Sequence, residues 1–204
     1  MERFAPNKKK IVLGLTGSFG SGKTTVSGIL RSWGARVIDA DKIARDLLIP
    51  QSRIYKKTIR VFGADILKSN GAIDRRKLGA AVFADKNLLH KLNTIIHPEV
   101  IRIIKRKVRS YRRGIIVLDA PLLIEAGLSK AVDKVIVVRI GRRQQIKRLM
   151  SKTSLDKKGI LKRINAQMAQ NQKVRLADFI IDNSGTIKQT KKQVQAIRRM
   201  LWKN

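Results

Sequence analysis

GLTGSFGSGKTTV, residues 14–26, follows the apolar run KIVL and opens a helix-compatible stretch, TTVSGILRSW. Gly17-Ser18-Phe19-Gly20-Ser21-Gly22-Lys23-Thr24 fits the pattern G-x-x-x-x-G-K-[ST]. Glycines let backbone N–H groups turn inward around phosphate oxygens. The helix that follows presents its N-terminus to the same anion. Lys23 is placed to reach the β- and γ-phosphates, and Thr24 to hold Mg²⁺ through its hydroxyl. With Ser21 and Thr25 beside them, these residues point to ATP or GTP binding. The plain alternative is a Gly/Ser turn, and the strand before and helix after argue against it.

Five short runs rich in Val and Ile punctuate the chain: KIVLGLTG, ARVIDAD, GIIVLDAP, DKVIVVRI and DFIIDNSG. They do not alternate apolar with polar, which suits strands buried on both faces of a parallel sheet. Longer segments of helical spacing separate them, so the expected class is α/β, with a five-stranded, mostly parallel sheet flanked by helices. The gaps are unequal. The stretch between Asp41 and Gly114 reads as helices near 52–62, 75–84, 86–95 and 98–111. That is too much for one crossover, and it predicts a helical insertion over about 51–111. A second helical stretch, about 142–173, precedes the fifth strand, and a closing helix is expected from Thr186 to Leu201. One domain over 1–204 results, with its core at about 8–50, 112–141 and 174–204.

The acids are few. Three of the 14 fall between residues 39 and 46: Asp39, Asp41 and Asp46. The first two end the second strand, and carboxyl ends of strands face the ligand crevice of such sheets. While that strand persists, Asp39 and Asp41 share a face. A carboxylate beside a γ-phosphate can take the proton of an attacking hydroxyl. Asp41 can equally cap the helix that KIARDLL begins, or do both. Asp119, ending the third apolar run, is placed for Mg²⁺ or its water shell, or caps the strand end. Glu125 either contacts substrate or begins a short helix. His97-Pro98 opens a helix-like run, with Pro suited to a first turn, and a lone His there is usually structural. Arg142, Arg143, Lys147, Arg148 and Lys152 crowd the second helical stretch, where a kinase lid would need cations and where a solvated face would also carry them.

The chain holds 46 Lys plus Arg against 14 Asp plus Glu, a formal charge of +32, and no Cys. The missing Cys excludes disulfides, thiolate zinc sites and Cys nucleophiles. No apolar run reaches membrane-span length, and MERFAPNKKK lacks the apolar stretch of a secretion signal, so a soluble cytoplasmic protein is expected, with that leader loose. The charge is either a solvated basic surface or a means of weak, salt-sensitive polyanion binding. With nine aromatic residues, base stacking has little to work with, and no obligate nucleic-acid partner is expected. One P-loop in so short a chain argues against a helicase. No N-K-x-D base-reading motif is present, which favours a small-molecule kinase over a GTPase.

From Ile11 to about Val194 the chain resembles the dephospho-CoA kinase family, through GLTGSFGSGKTTV, VIDADKIAR, FGADIL with GAIDRRKL, LNTIIHPEV, DAPLLIEAGL, DKVIVV, RINAQM and ADFIIDNSG in that order. The resemblance implies a P-loop kinase fold with a helical CoA-binding insertion and a helical lid. It implies Mg²⁺-dependent transfer of the ATP γ-phosphoryl group to the ribose 3′-hydroxyl of dephospho-CoA. It also assigns roles: Asp41 the base; Lys23 and Arg148 at the transferring phosphate; Gly17, Gly20, Ser21, Gly22, Lys23, Thr24, Thr25 and Asn183 around ATP; Asp39, Arg45, His97, Pro98, Asp119 and Glu125 on the substrate side; Thr24 and Asp119 at the metal. Ser18 and Phe19 stand where the family usually has Gly and Ile, and Lys152 where it often has Arg, which keeps charge but loses the planar fork.

Overall fold

The computed structural model describes residues 10–201, so the expectation for the leader, 1–10, falls almost wholly outside the described residues. Five strands form one sheet in the order β2-β3-β1-β4-β5. They are β1 (Lys10–Gly17), β2 (Arg36–Asp39), β3 (Gly114–Asp119), β4 (Lys134–Arg139) and β5 (Phe179–Asp182). β1 pairs in parallel with β3 on one edge and β4 on the other, and β4 with β5. The apolar runs of the sequence are therefore the strands, and the parallel α/β class is the one observed.

Burial explains why those runs do not alternate. On one face Leu13 and Leu15 of β1, Ile115 and Val117 of β3, and Ile136 and Val138 of β4 pack with α1 (Lys23–Ser32) and α9 (Ile187–Leu201) through Val26, Ile29, Leu30, Val194 and Ile197. The intervening residues Val12, Ile116, Leu118, Val135 and Val137 are buried as well, so both faces are covered. Gly14 permits one close approach: a Cβ there would lie 2.5 Å from Leu123 Cδ2 and 3.1 Å from Val132 Cγ2. α9 begins with a reciprocal cap, Thr186 N donating to Gln189 Oε1 and Gln189 N to Thr186 Oγ1 at 2.8 and 3.3 Å. Between β4 and β5 lie α6 (Arg142–Lys152), α7 (Lys157–Asn165) and α8 (Gln170–Arg175).

The chain divides into two compact units, one running to Ile38 and resuming at Val108, the other Asp39–Lys107. The second contains α2 (Ala40–Asp46), α3 (Arg53–Phe62), α4 (Arg75–Ala84) and most of α5 (Lys86–Ser110). Its core gathers Ile66, Ile73, Leu78 and Val82, with Tyr55, Leu88 and Leu92 packed against them. Ser52 and Asp74 cap α3 and α4 by accepting from Tyr55 N and Arg76 N at 2.9 and 2.8 Å. Two expectations are corrected here. The second strand ends at Asp39 rather than Asp41, because Asp39 is the N-cap of α2, accepting from Lys42 N at 2.8 Å; strand alternation therefore says nothing about Asp41. Pro98 does not start a helix. Lys86–Ser110 is one helix with Pro98 inside it. A proline there forfeits one backbone hydrogen bond, while Ile96, Val100, Ile104 and Val108 on either side are all buried and hold the helix across it. Among the described residues, no helix is long and apolar enough to cross a membrane.

Two measurements follow. Leu123 is fully buried and its Cδ2 would lie 2.5 Å from the new Cβ, so Gly14→Ala is expected to cost about 1–3 kcal/mol in urea unfolding. The same change should cost less in a Leu123→Ala background, since the two share one volume. His97, half-buried on α5, is held below its ordinary pKa of 6.5 by desolvation. The unfolded imidazole then binds more protons, so the stability at stake is complete above pH 6.5 and is lost as pH falls through the lower folded value. An NMR titration should place the His97 midpoint below 6.5, and His97→Gln should flatten the acid side of the stability curve.

Candidate active site

β1 delivers the phosphate-binding loop to the carboxyl end of the sheet. Gly17 ends the strand where a Cβ would lie 2.6 Å from the Val138 carbonyl and 2.5 Å from Ser21 Oγ. Gly20 and Gly22 adopt φ of 78° and 87°, which only glycine takes without strain. Gly22 is the N-cap of α1, and no side chain caps that helix. The Ser21 hydroxyl is buried and has no hydrogen-bond partner. A helix N-terminus without a side-chain cap, two left-handed glycines and an orphaned hydroxyl make a cradle that fits a polyphosphate.

Lys23, the first residue of α1, forms an ion pair with Asp119 at the end of β3. The β1–β3 register, with Leu15 opposite Asp119, brings the two strand ends together. The Lys23 side chain is 16% exposed and that of Asp119 9%, so the pair is mostly withdrawn from water. Thr24 and Thr25 are exposed on the first turn of α1. A P-loop magnesium needs one hydroxyl, one acid and the phosphates themselves, with water completing the shell. Thr24, exposed on the first turn of α1, and Asp119, at the end of β3, are the hydroxyl and the acid that could supply the protein's share.

Behind the loop stands a brace that the sequence reading largely missed. Asn183, just past β5, donates from Nδ2 to the Ser21 carbonyl at 2.8 Å and accepts from Thr190 Oγ1 at 2.9 Å. A Cβ on Gly22 would collide with Asn183 Nδ2 at 1.9 Å, so glycine and amide fit each other. Arg148, half-buried on α6, donates from Nη1 to the Asn183 carbonyl at 2.9 Å. Gln145 Nε2 donates to the Phe19 carbonyl at 2.6 Å and to Ser18 Oγ at 3.1 Å, and Gln167 Oε1 accepts from Phe19 N at 2.7 Å. The Phe19 ring packs against the cluster of Leu149, Ile160 and Ile164. The unusual residues of the loop are thus the ones that α6 and α7 and the turn after them engage. That polar Ser18 and bulky Phe19 need partners was the one available signal.

Glu125 accepts from Met168 N at 3.1 Å and pairs with Lys173, a fully buried lysine of α8, at 2.9 Å. Lys173 was not singled out in the sequence. In the helical unit, Asp39 is occupied with capping α2 and lies 3.9 Å from Arg45, both about half exposed. Asp41 stands exposed in the first turn of that helix. Further along, His97 and Pro98 sit in α5.

Residues 11–189 match the model of a family described as dephospho-CoA kinase. A dephospho-CoA kinase of Carboxydothermus hydrogenoformans is 46% identical over 197 residues, 95% of this chain and 96% of that protein. A crystal structure from Thermus thermophilus superposes with a TM-score of 0.84 at 30% identity, covering 95% of this chain and 98% of the other. The dephospho-CoA kinase of Campylobacter jejuni gives 0.68 at 28% identity over 94% and 97%. With a glycine cradle on β1, a lysine paired to a strand-end aspartate and this likeness over nearly the whole length, the chain belongs to the dephospho-CoA kinase family.

Proposed function

We propose that this chain phosphorylates the ribose 3′-hydroxyl of dephospho-CoA with ATP, and that the residues below divide the work. The observation that carries the reading is the Lys23–Asp119 pair beside the orphaned Ser21 hydroxyl. Lys23 faces a carboxylate and, once phosphates enter the cradle, has a second set of oxygens to neutralise. The backbone from Gly17 to Thr25 holds the polyphosphate, and Asn183 keeps the loop in shape from behind. Thr24 and Asp119 would hold Mg²⁺, which would supply neutralisation of the phosphate charge. Asp41 accepts the proton of the 3′-hydroxyl as that oxygen bonds to the γ-phosphorus and ADP departs. Arg148 is the lid cation, already oriented by the Asn183 carbonyl. Arg45, His97 and Pro98 belong to the substrate side, with Asp39 fixing the start of α2. In this reading 51–111 binds the CoA moiety and 142–173 closes over the nucleotide.

The basic surface serves encounter. Gln51, Arg53, Lys56, Lys57 and Arg60 line a groove of about 410 Å³ on α3. Such a face favours anionic substrates, and any hold on longer polyanions is electrostatic and falls steeply with salt.

A coupled ADP-release assay with ATP, Mg²⁺ and a panel of acceptors tests the assignment. Turnover is expected with dephospho-CoA and not with nucleosides. Asp41→Asn should lower kcat by about 100-fold or more while leaving KM for ATP alone. Lys23→Met should lower kcat/KM for ATP. Wild-type turnover that prefers a nucleoside would sink the substrate, and an Asp41→Asn enzyme of undiminished kcat would sink the base. Binding to single-stranded DNA, measured alongside, should vanish between low and physiological salt.

A further inference from the structure

Lys173 is the one ionisable side chain among the described residues recorded as wholly without exposure. Its ammonium donates to the Pro121 carbonyl at 2.7 Å and pairs with Glu125 Oε1 at 2.9 Å. The same carbonyl accepts from Thr16 Oγ1 at 2.9 Å, and Ala120 N donates to the Leu15 carbonyl at 3.0 Å. The turn Asp119-Ala120-Pro121 is therefore tied to β1 on one side and to α8 on the other. Glu125 adds a second tie, since the oxygen that meets Lys173 also accepts from Met168 N at 3.1 Å.

A buried ammonium is a poor choice for stability alone. Removing it from water costs free energy that an apolar side chain of similar volume would avoid. What the charge provides is direction: a fixed donor aimed at one carbonyl, two residues beyond the carboxylate that holds Lys23. The chain surrounds itself with exposed cations, yet this one is buried against a backbone oxygen and a glutamate.

We infer that Lys173 is a positioning residue for phosphoryl transfer: with Glu125 it locks the Asp119–Pro121 turn so that the Asp119 carboxylate stays against Lys23. The inference rests on the kinase reading above. It also recasts Glu125, whose carboxylate is the partner of Lys173 rather than a group held open for substrate.

The test is a kinetic cycle on the full chain at a temperature well below the melting transition of every variant. Lys173→Met, close in volume, should lower kcat with dephospho-CoA by about tenfold or more, because a small misplacement of a group at the reacting centre is costly. KM for dephospho-CoA should stay the same, and so should ATP affinity titrated without divalent metal, since the cradle is untouched. In an Asp119→Asn background the same substitution should have little further effect, because it acts through that carboxylate. A merely structural lysine would instead lower the melting temperature, leave the kcat of the folded enzyme at the wild-type value and add independently to Asp119→Asn. That outcome overturns the inference. If Lys173→Met does not fold, Glu125→Gln replaces it: a kcat loss at constant KM supports positioning, and a raised KM for dephospho-CoA with unchanged kcat overturns it by returning Glu125 to the substrate. Absence of turnover in the wild type would be a failure of the kinase reading, separate from both.

Discussion

β1 is enclosed on both faces and paired on both edges, and this enclosure constrains everything that follows it. A strand with no exposed side is built mainly from aliphatic residues and glycine, its one buried hydroxyl, Thr16, being bonded to the Pro121 carbonyl, and it must leave the sheet abruptly at its carboxyl end. Gly17 has the Val138 carbonyl beside it, so the chain leaves where no side chain could fit. The glycine turn and the start of α1 are then fixed by the walls of the sheet, and the lysine that begins the helix is brought to the aspartate at the end of β3.

Around that point the acids are used sparingly and in particular ways. Asp133 and Asp178 accept from Val12 N and Val135 N at 2.7 and 2.8 Å, extending the parallel ladder at strand entries where a backbone partner is missing. Asp39, Asp74 and Asp156 cap helices. In a chain with a charge of +32 each carboxylate has a wide choice of cations. Many are instead directed at backbone N–H groups, whose positions do not depend on salt or on side-chain rotamers.

How much of this could be read in the residues follows from where the information sits. The strands were visible because burial on two faces leaves an uninterrupted apolar run, and the loop because glycine spacing is dictated by local backbone geometry. Asp39 against Asp41 was not resolved by pattern, since a strand end and a helix cap compete for the same residue and only φ and ψ decide. Pro98 was read as a helix start because local rules make that its best position; packing on both sides of it overrode them. Lys173 lay in QKVR, within a basic stretch that reads as surface, and its burial is a property of α8 against the turn after β3. Gln145 and Gln167 were silent for the same reason: an amide's partner is chosen by tertiary structure.

The brace behind the phosphate loop is assembled chiefly from neutral amides: Asn183 on Ser21, Gln145 on Ser18 and Phe19, Gln167 on Phe19. Neutral hydrogen bonds are not screened by ions, whereas the long-range field of the surface is. The molecule therefore separates two tasks. Ionic strength governs how often an anion arrives, while the shape of the receptacle that receives it is set by groups indifferent to ionic strength, so a change in the surrounding salt would alter the enzyme's capture rate without deforming its cradle.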